Sequence, residues 1–146
     1  MSELLLSMRD LVIEADIDGE WKPIVKGLTM NLHKGEIIGL IGESGAGKST
    51  FGLAGMGYTK PGCRIVSGSI RLEDEELVDA SASRLREIRG NSVSYVAQSA
   101  AAAFNPAHRL IEQFVEAPVQ HGKMRGDEAA RRGQELYRQL DLPDPD

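Results

Sequence analysis

Gly42-Glu43-Ser44-Gly45-Ala46-Gly47-Lys48-Ser49 fills the pattern G-x-x-x-x-G-K-[ST], the phosphate-binding loop called Walker A. The apolar run Ile37-Ile38-Gly39-Leu40-Ile41 before it predicts a buried parallel strand. Lys48 to Met56 after it holds no proline and predicts a helix. Strand, loop and helix in that order are the context the pattern needs.

The chemistry follows from that order. Gly42, Gly45 and Gly47 have no Cβ, so the backbone can wrap closely around an anion. Loop N–H groups and the positive end of the helix dipole would converge on the α- and β-phosphates of a nucleotide. Lys48 would reach the β/γ-phosphates as a mobile charge, and the Ser49 hydroxyl is the expected Mg²⁺ ligand. Glu43, Ser44, Ala46 and Thr50 complete the candidate nucleotide-binding set, Thr50 as a further donor at the helix start. The competing reading is a glycine-rich turn capping an ordinary βα unit. The fixed glycines, lysine and hydroxyl behind an apolar run favour the phosphate site.

Composition narrows the rest. The chain has 146 residues, 41% of them hydrophobic, enough for one domain or most of one with a core. A formal charge of −5 gives no support for a nucleic-acid partner. Arg84, Arg86 and Arg89 alternate with Leu85, Glu87 and Ile88 and suit a solvated helix face. Cys63 is the only cysteine, so no intrachain disulfide or thiolate cluster is expected. Met1-Ser2-Glu3 places no basic region before Leu4-Leu5-Leu6. With no apolar stretch of spanning length, a cytoplasmic location is expected.

Residues 4–16 predict a strand, Asp16 to Pro23 a polar turn, and Ile24 to Leu32 a second extended segment. Together they suggest a small antiparallel sheet. Pro61-Gly62 is a strong turn signal. Ile65 to Leu72 then predicts a strand, Ala80 to Arg89 a helix, and Val93 to Ala97 another strand ending at Gln98. Beyond Ala100 the pattern turns helical. Leu110, Ile111, Phe114 and Val115 would share a face, limited by Pro118 and Gly122. A last helix begins near Asp127, a good N-cap, with Ala129, Gly133, Leu136, Tyr137 and Leu140 on one side.

These residues together resemble an ABC transporter nucleotide-binding domain of the oligopeptide/dipeptide/nickel importer branch. The resemblance rests on Gly42 to Thr50, on Lys34-Gly35-Glu36, and on Ser94-Tyr95-Val96-Ala97-Gln98 followed by Asn105-Pro106 and Glu112-Gln113. Ser99-Ala100 and Ala103-Phe104 depart from the branch pattern of Asp-Pro and Ser-Leu at those places. The resemblance implies an α/β fold. Its parts are a P-loop NTPase core, an N-terminal antiparallel β subdomain (together residues 1–98), and the start of a helical subdomain (99–146). It implies ATP and Mg²⁺ as cofactors, with Gln98 as the Q-loop residue contacting the metal and the catalytic water. The implied partners are a membrane permease, met by residues 99–118, and a second nucleotide-binding subunit, identical or paralogous. When assembled, the chain would sit on the inner face of the membrane. An aromatic side chain stacks on adenine in this family. Trp21, the only tryptophan, is the candidate, with simple coverage of the sheet as the equal alternative.

A Leu-Ser-Gly-Gly-Gln signature, a Walker B strand ending in Asp-Glu, and a switch histidine do not occur in residues 1–146. His33, His108 and His121 all precede the place where that histidine would fall. The resemblance implies that the sequence stops before these motifs, so whether this chain is itself an enzyme is open. Two alternatives stand beside an ATP-binding transport subunit. One is a non-catalytic truncated product that at most binds nucleotide. The other is a different P-loop class, such as an ABC-type DNA-repair ATPase; a GTPase would need an Asn-Lys-x-Asp motif, which is missing.

Overall fold

The computed structural model describes residues 3–45, 47–99 and 103–142. Strand β1 (Leu4–Ile17) and strand β2 (Glu20–His33) form a long antiparallel hairpin. Its turn is only Asp18-Gly19, both at positive φ (57° and 83°), the conformation that lets a two-residue turn follow the strand twist. Asp16 Oδ1 accepts from Gly19 N–H at 2.9 Å. The polar stretch expected as loop up to Pro23 is therefore strand from Glu20 on. A tight Asp-Gly turn needs no further residues, and Trp21 and Lys22 pair with Asp16 and Ala15.

Strand β3 (Cys63–Leu72) pairs with the other edge of β1, and the two-residue β4 (Glu75–Glu76) pairs with β3, giving the order β2-β1-β3-β4. The ladder is irregular around Asp10, which takes φ 47° while its N–H donates to Thr29 Oγ1 at 3.0 Å. Gly68 of β3 lies against this bulge. A Cβ there would come within 2.6 Å of the Arg9 carbonyl oxygen and of Leu11 Cα, so the two backbones approach only because it is glycine.

Helix α1 (Lys48–Ala54) follows the loop and ends at Gly55. Phe51, Leu53 and Ala54 of α1 are buried together with Met8, Leu11, Ile13, Val25 and Ile70 of the sheet. Leu77 and Ile88 are buried as well. Helix α2 (Ala82–Ile88) starts at Ser81, whose hydroxyl accepts from Arg84 N–H at 3.2 Å. After α2 the Arg89 guanidinium donates to the carbonyls of Met56 and Gly57 at 3.1 and 2.6 Å, closing the turn beyond α1.

The chain divides into two compact units, the first ending at Arg89 and the second beginning at Gly90. The second is a helical pair, α3 (Leu110–Gln120) and α4 (Gly126–Gln139). Gly133 of α4 is buried where the helices touch, and a Cβ on it would meet Ile111 Cδ1 at 2.7 Å and Phe114 Cδ1 at 2.8 Å. Phe114 and Tyr137 meet edge to face at a centroid distance of 6.2 Å, a favoured aromatic geometry. Pro118, expected to limit the first helix, lies inside it. Proline forfeits its own N–H bond there, yet the helix ends only two residues later. Asp127 is in the first turn of α4 rather than its N-cap, which is Arg125; a carboxylate there still suits the helix dipole.

Two expected strands do not form. Residues 37–41 carry no ladder, and of the expected strand from Val93 to Ala97 only Val93 makes an isolated bridge; Ile37, Ile41 and Val96 are 96%, 99% and 91% exposed. A strand buried in a parallel sheet needs hydrogen-bonding neighbours on both edges, and no described segment forms a ladder with either run. The apolar pattern is present; the pairing that would turn it into a strand is not.

Candidate phosphate-binding site

The phosphate loop belongs to the first unit and leads directly into α1. Gly45 and Gly47 take φ 81° and 78°, a backbone region costly for other residues. Gly47 is the residue before α1, and its carbonyl accepts the helix's early bond from Phe51 N–H at 2.8 Å. Ala46, part of the expected set, lies outside the described residues.

Lys48 is turned back over the loop. Its ammonium donates to the Gly42 carbonyl at 2.6 Å and also to the Glu43 carbonyl. A flexible lysine held by two loop oxygens stays beside the amides it would serve. Gly42, Glu43, Ser44 and Gly45 are exposed, and the N–H groups of Glu43, Ser44 and Gly45 donate to no other group among the described residues. Exposed, unpaired amides next to an ammonium are a donor set suited to an anion such as a polyphosphate. Ser49 is exposed and Thr50 buried, so Ser49 is the one of the two that offers its hydroxyl at the surface. Among the described residues no group of three or more His, Cys, Asp or Glu is placed to hold a metal. A magnesium ion here would depend on Ser49 and on the phosphates themselves, as that ion commonly does.

The seat of the loop was missed in the sequence. A Cβ on Gly47 would lie 2.6 Å from the Ile24 carbonyl oxygen and 3.2 Å from Val25 Cγ2. Strand β2 thus supports the loop end from below. Nothing in the pattern of Ile24-Val25, an ordinary apolar pair, signals that contact.

Trp21 lies on β2, three residues before this seat, but on a different face. Paired residues in an antiparallel ladder point the same way and neighbours alternate. Ile13 pairs with Val25 and Ile65, whereas Glu14 pairs with Pro23 and Arg64, and Asp16 with Trp21. Trp21 therefore shares the Glu14–Arg64 face. The Arg64 guanidinium stands 4.0 Å over its ring and donates to Glu14 Oε2 at 2.8 and 3.1 Å, a cation–π contact anchored by an ion pair.

Gln98 falls in the second unit, where it is exposed and sits in a bend. Of the expected partner-facing stretch 99–118, residues 100–102 lie outside the described residues. Of the remainder, residues 105–109 form a turn and 110–118 most of α3. No described helix is long and apolar enough to cross a membrane.

Comparison with known proteins agrees with the fold. A family model described as "ABC transporter" matches residues 25–146. The oligopeptide transport ATP-binding protein OppD of Lactococcus lactis subsp. lactis is 30% identical over 144 residues, covering 99% of this chain and 43% of that protein. The oligopeptide transport ATP-binding protein AppD of Bacillus subtilis is 38% identical over 119 residues, covering 81% and 36%. The chain thus spans less than half the length of these relatives. Among solved structures, the dimeric MJ0796, a bacterial ABC transporter cassette, superposes with a TM-score of 0.77 at 20% identity, over 96% of this chain and 59% of that one. A post-hydrolysis state of the same cassette bound to ADP and Pi gives 0.74. At that identity the structures speak for the fold alone, an α/β fold, while the matched family model covers most of the sequence. The chain belongs to the ABC transporter family.

Proposed function

We propose that this chain binds MgATP through Gly42–Thr50 and is the ATP-binding part of a subunit that drives import of peptides or similar small solutes. The observation that carries the reading is the loop itself: exposed amides, glycines at positive φ, and Lys48 folded over the Gly42 and Glu43 carbonyls. Relatives named as oligopeptide transport ATP-binding proteins support the transport role. In this reading Lys48 leaves the loop carbonyls to meet the β/γ-phosphates, and Ser49 holds Mg²⁺. When bound there, Mg²⁺ would supply positive charge that offsets that of the phosphates. Gln98 would contact the metal and the water at the γ-phosphate. Residues 99–118 meet the cytoplasmic side of a permease, and a second nucleotide-binding subunit pairs with this one at the membrane.

Uptake of a labelled tripeptide by the native cell tests the proposal. Deleting the coding region should abolish a saturable component of uptake. The wild-type sequence should restore it and Lys48→Ala should not. Restoration by Lys48→Ala would refute an ATP-dependent role, and unchanged uptake after deletion would refute peptide import.

A further inference from the structure

We propose that Gln113 is the positioning residue of the surface that meets the membrane partner, holding the Asn105–Arg109 turn in its docking shape. The inference rests on the partner reading above and adds the residue that would make it specific.

The turn has little regular backbone pairing of its own. His108 N–H donates to the Asn105 carbonyl at 3.2 Å, and Ala107 N–H to Asn105 Oδ1 at 3.0 Å. Four further bonds to the turn come from one side chain. Gln113 Oε1 accepts from Asn105 N–H at 2.8 Å. Gln113 Nε2 donates to the carbonyls of Asn105 at 3.0 Å and His108 at 3.1 Å, with Arg109 at 3.5 Å. A primary amide is the one neutral side-chain group, with asparagine's, that offers two donors and an acceptor together. Here it satisfies both ends of a loop that backbone pairing leaves open.

The sequence from which Gln113 projects fixes its reach. It lies on the first turns of α3, and its own N–H donates to the Arg109 carbonyl at 3.3 Å. The helix is thereby the rigid base and the turn is fastened to it. Asn105, His108, Glu112, Gln113 and Glu116 line a shallow cleft on this side, so the turn forms one wall and α3 the other. Loss of the amide would free that wall, while the phosphate loop belongs to the first unit.

Gln113→Glu separates the role of the amide from that of its bulk. Glutamate has the same shape and can still accept from Asn105 N–H, but an ionised carboxylate repels the carbonyls that Nε2 now serves. The experiment uses the full chain in its native cell, with a photoreactive phenylalanine analogue at position 108 and the crosslinked species identified by mass spectrometry. Purified chain supplies the second readout, the Asn105 and Ala107 amide resonances, alongside affinity for a fluorescent ATP analogue.

The proposal expects a crosslink to a multi-spanning membrane protein that drops about five-fold or more in Gln113→Glu at equal chain abundance. It also expects both amide resonances to move and the nucleotide affinity to stay within two-fold. Equal crosslinking in Gln113→Glu overturns the positioning role while leaving the partner reading intact. Amide resonances that do not move overturn it too. If the wild-type chain crosslinks to no membrane-spanning protein, the partner reading falls and the proposal with it.

Discussion

Gly47 is packed so closely on Ile24 that a Cβ at position 47 would sit 2.6 Å from the Ile24 carbonyl oxygen. The phosphate loop is therefore braced by the second strand of the hairpin, not only by the helix that follows. Gly47 also holds φ at 78°. Alanine there would meet both a backbone atom that cannot move aside and a dihedral costing about 1–3 kcal/mol. Gly47→Ala is expected to lower affinity for a fluorescent ATP analogue at least ten-fold and to shift the Ile24 and Val25 amide resonances. Unchanged affinity would mean that the contact does not shape the loop.

The loop and the hairpin were legible in the sequence because each has a local cause. The motif Gly42 to Ser49 announces itself residue by residue, and apolar stretches around Asp18-Gly19 marked the two strands. The polarity of Glu20 to Lys22 reads as loop, yet these residues belong to a strand with an open face. Residues 37–41 and 94–97 show the opposite limit. Their apolar runs call for strands, but strand formation depends on neighbours far along the chain, and no described segment supplies them. The seat at Ile24-Val25 and the clamp made by Gln113 are three-dimensional relationships between ordinary residues, which spacing alone does not encode.

Trp21 is the chain's single tryptophan, so its emission reports on one place. Its ring faces Arg64 at 4.0 Å, on the sheet face that also carries Glu14, while Gly47 sits against Ile24 and Val25. We expect saturating MgATP to leave the tryptophan emission nearly unchanged and Arg64→Met to alter it. Strong quenching by ATP, with none from inorganic triphosphate, would instead place adenine on Trp21.

Glu76 introduces a pH dependence. Partial burial alone would raise its pKa, but donation from the Ser69 hydroxyl and from the N–H groups of Ile70 and Val78 outweighs that, and the pKa is lowered from 4.5. The sign follows: a carboxyl with a depressed folded pKa contributes stability above its unfolded value and loses that contribution as pH falls through the folded one. The Ile70 and Val78 amide resonances should therefore titrate together with a midpoint below 4.5. In Glu76→Gln that titration should vanish, with a loss of about 1 kcal/mol at neutral pH, the scale of one hydrogen bond. A midpoint above the ordinary glutamate value would contradict the assignment.

Ile37 and Ile41 are almost fully exposed, and burying an isoleucine is worth about 1.5–3 kcal/mol. Chain 1–146 in isolation should self-associate through this segment. Substituting Ile37→Thr and Ile41→Thr should raise the monomer fraction in size-exclusion chromatography with light scattering, while the β1–β3 resonances stay in place. A monomeric wild-type chain with a cooperative, high-temperature melt would show that the segment is covered after all.

The central claim is that Lys48 and the loop amides hold nucleotide phosphates, and calorimetric titration of MgATP into wild-type and Lys48→Ala chains tests it most directly. A charge-assisted hydrogen bond contributes about 1.5–3 kcal/mol, which corresponds to roughly ten- to hundred-fold in affinity. The account predicts saturable binding by the wild type, competition by inorganic triphosphate, and a loss of that size in Lys48→Ala with the β1–β2 hairpin resonances unmoved. Equal affinity in the two chains, or no binding by a folded wild type, would contradict it.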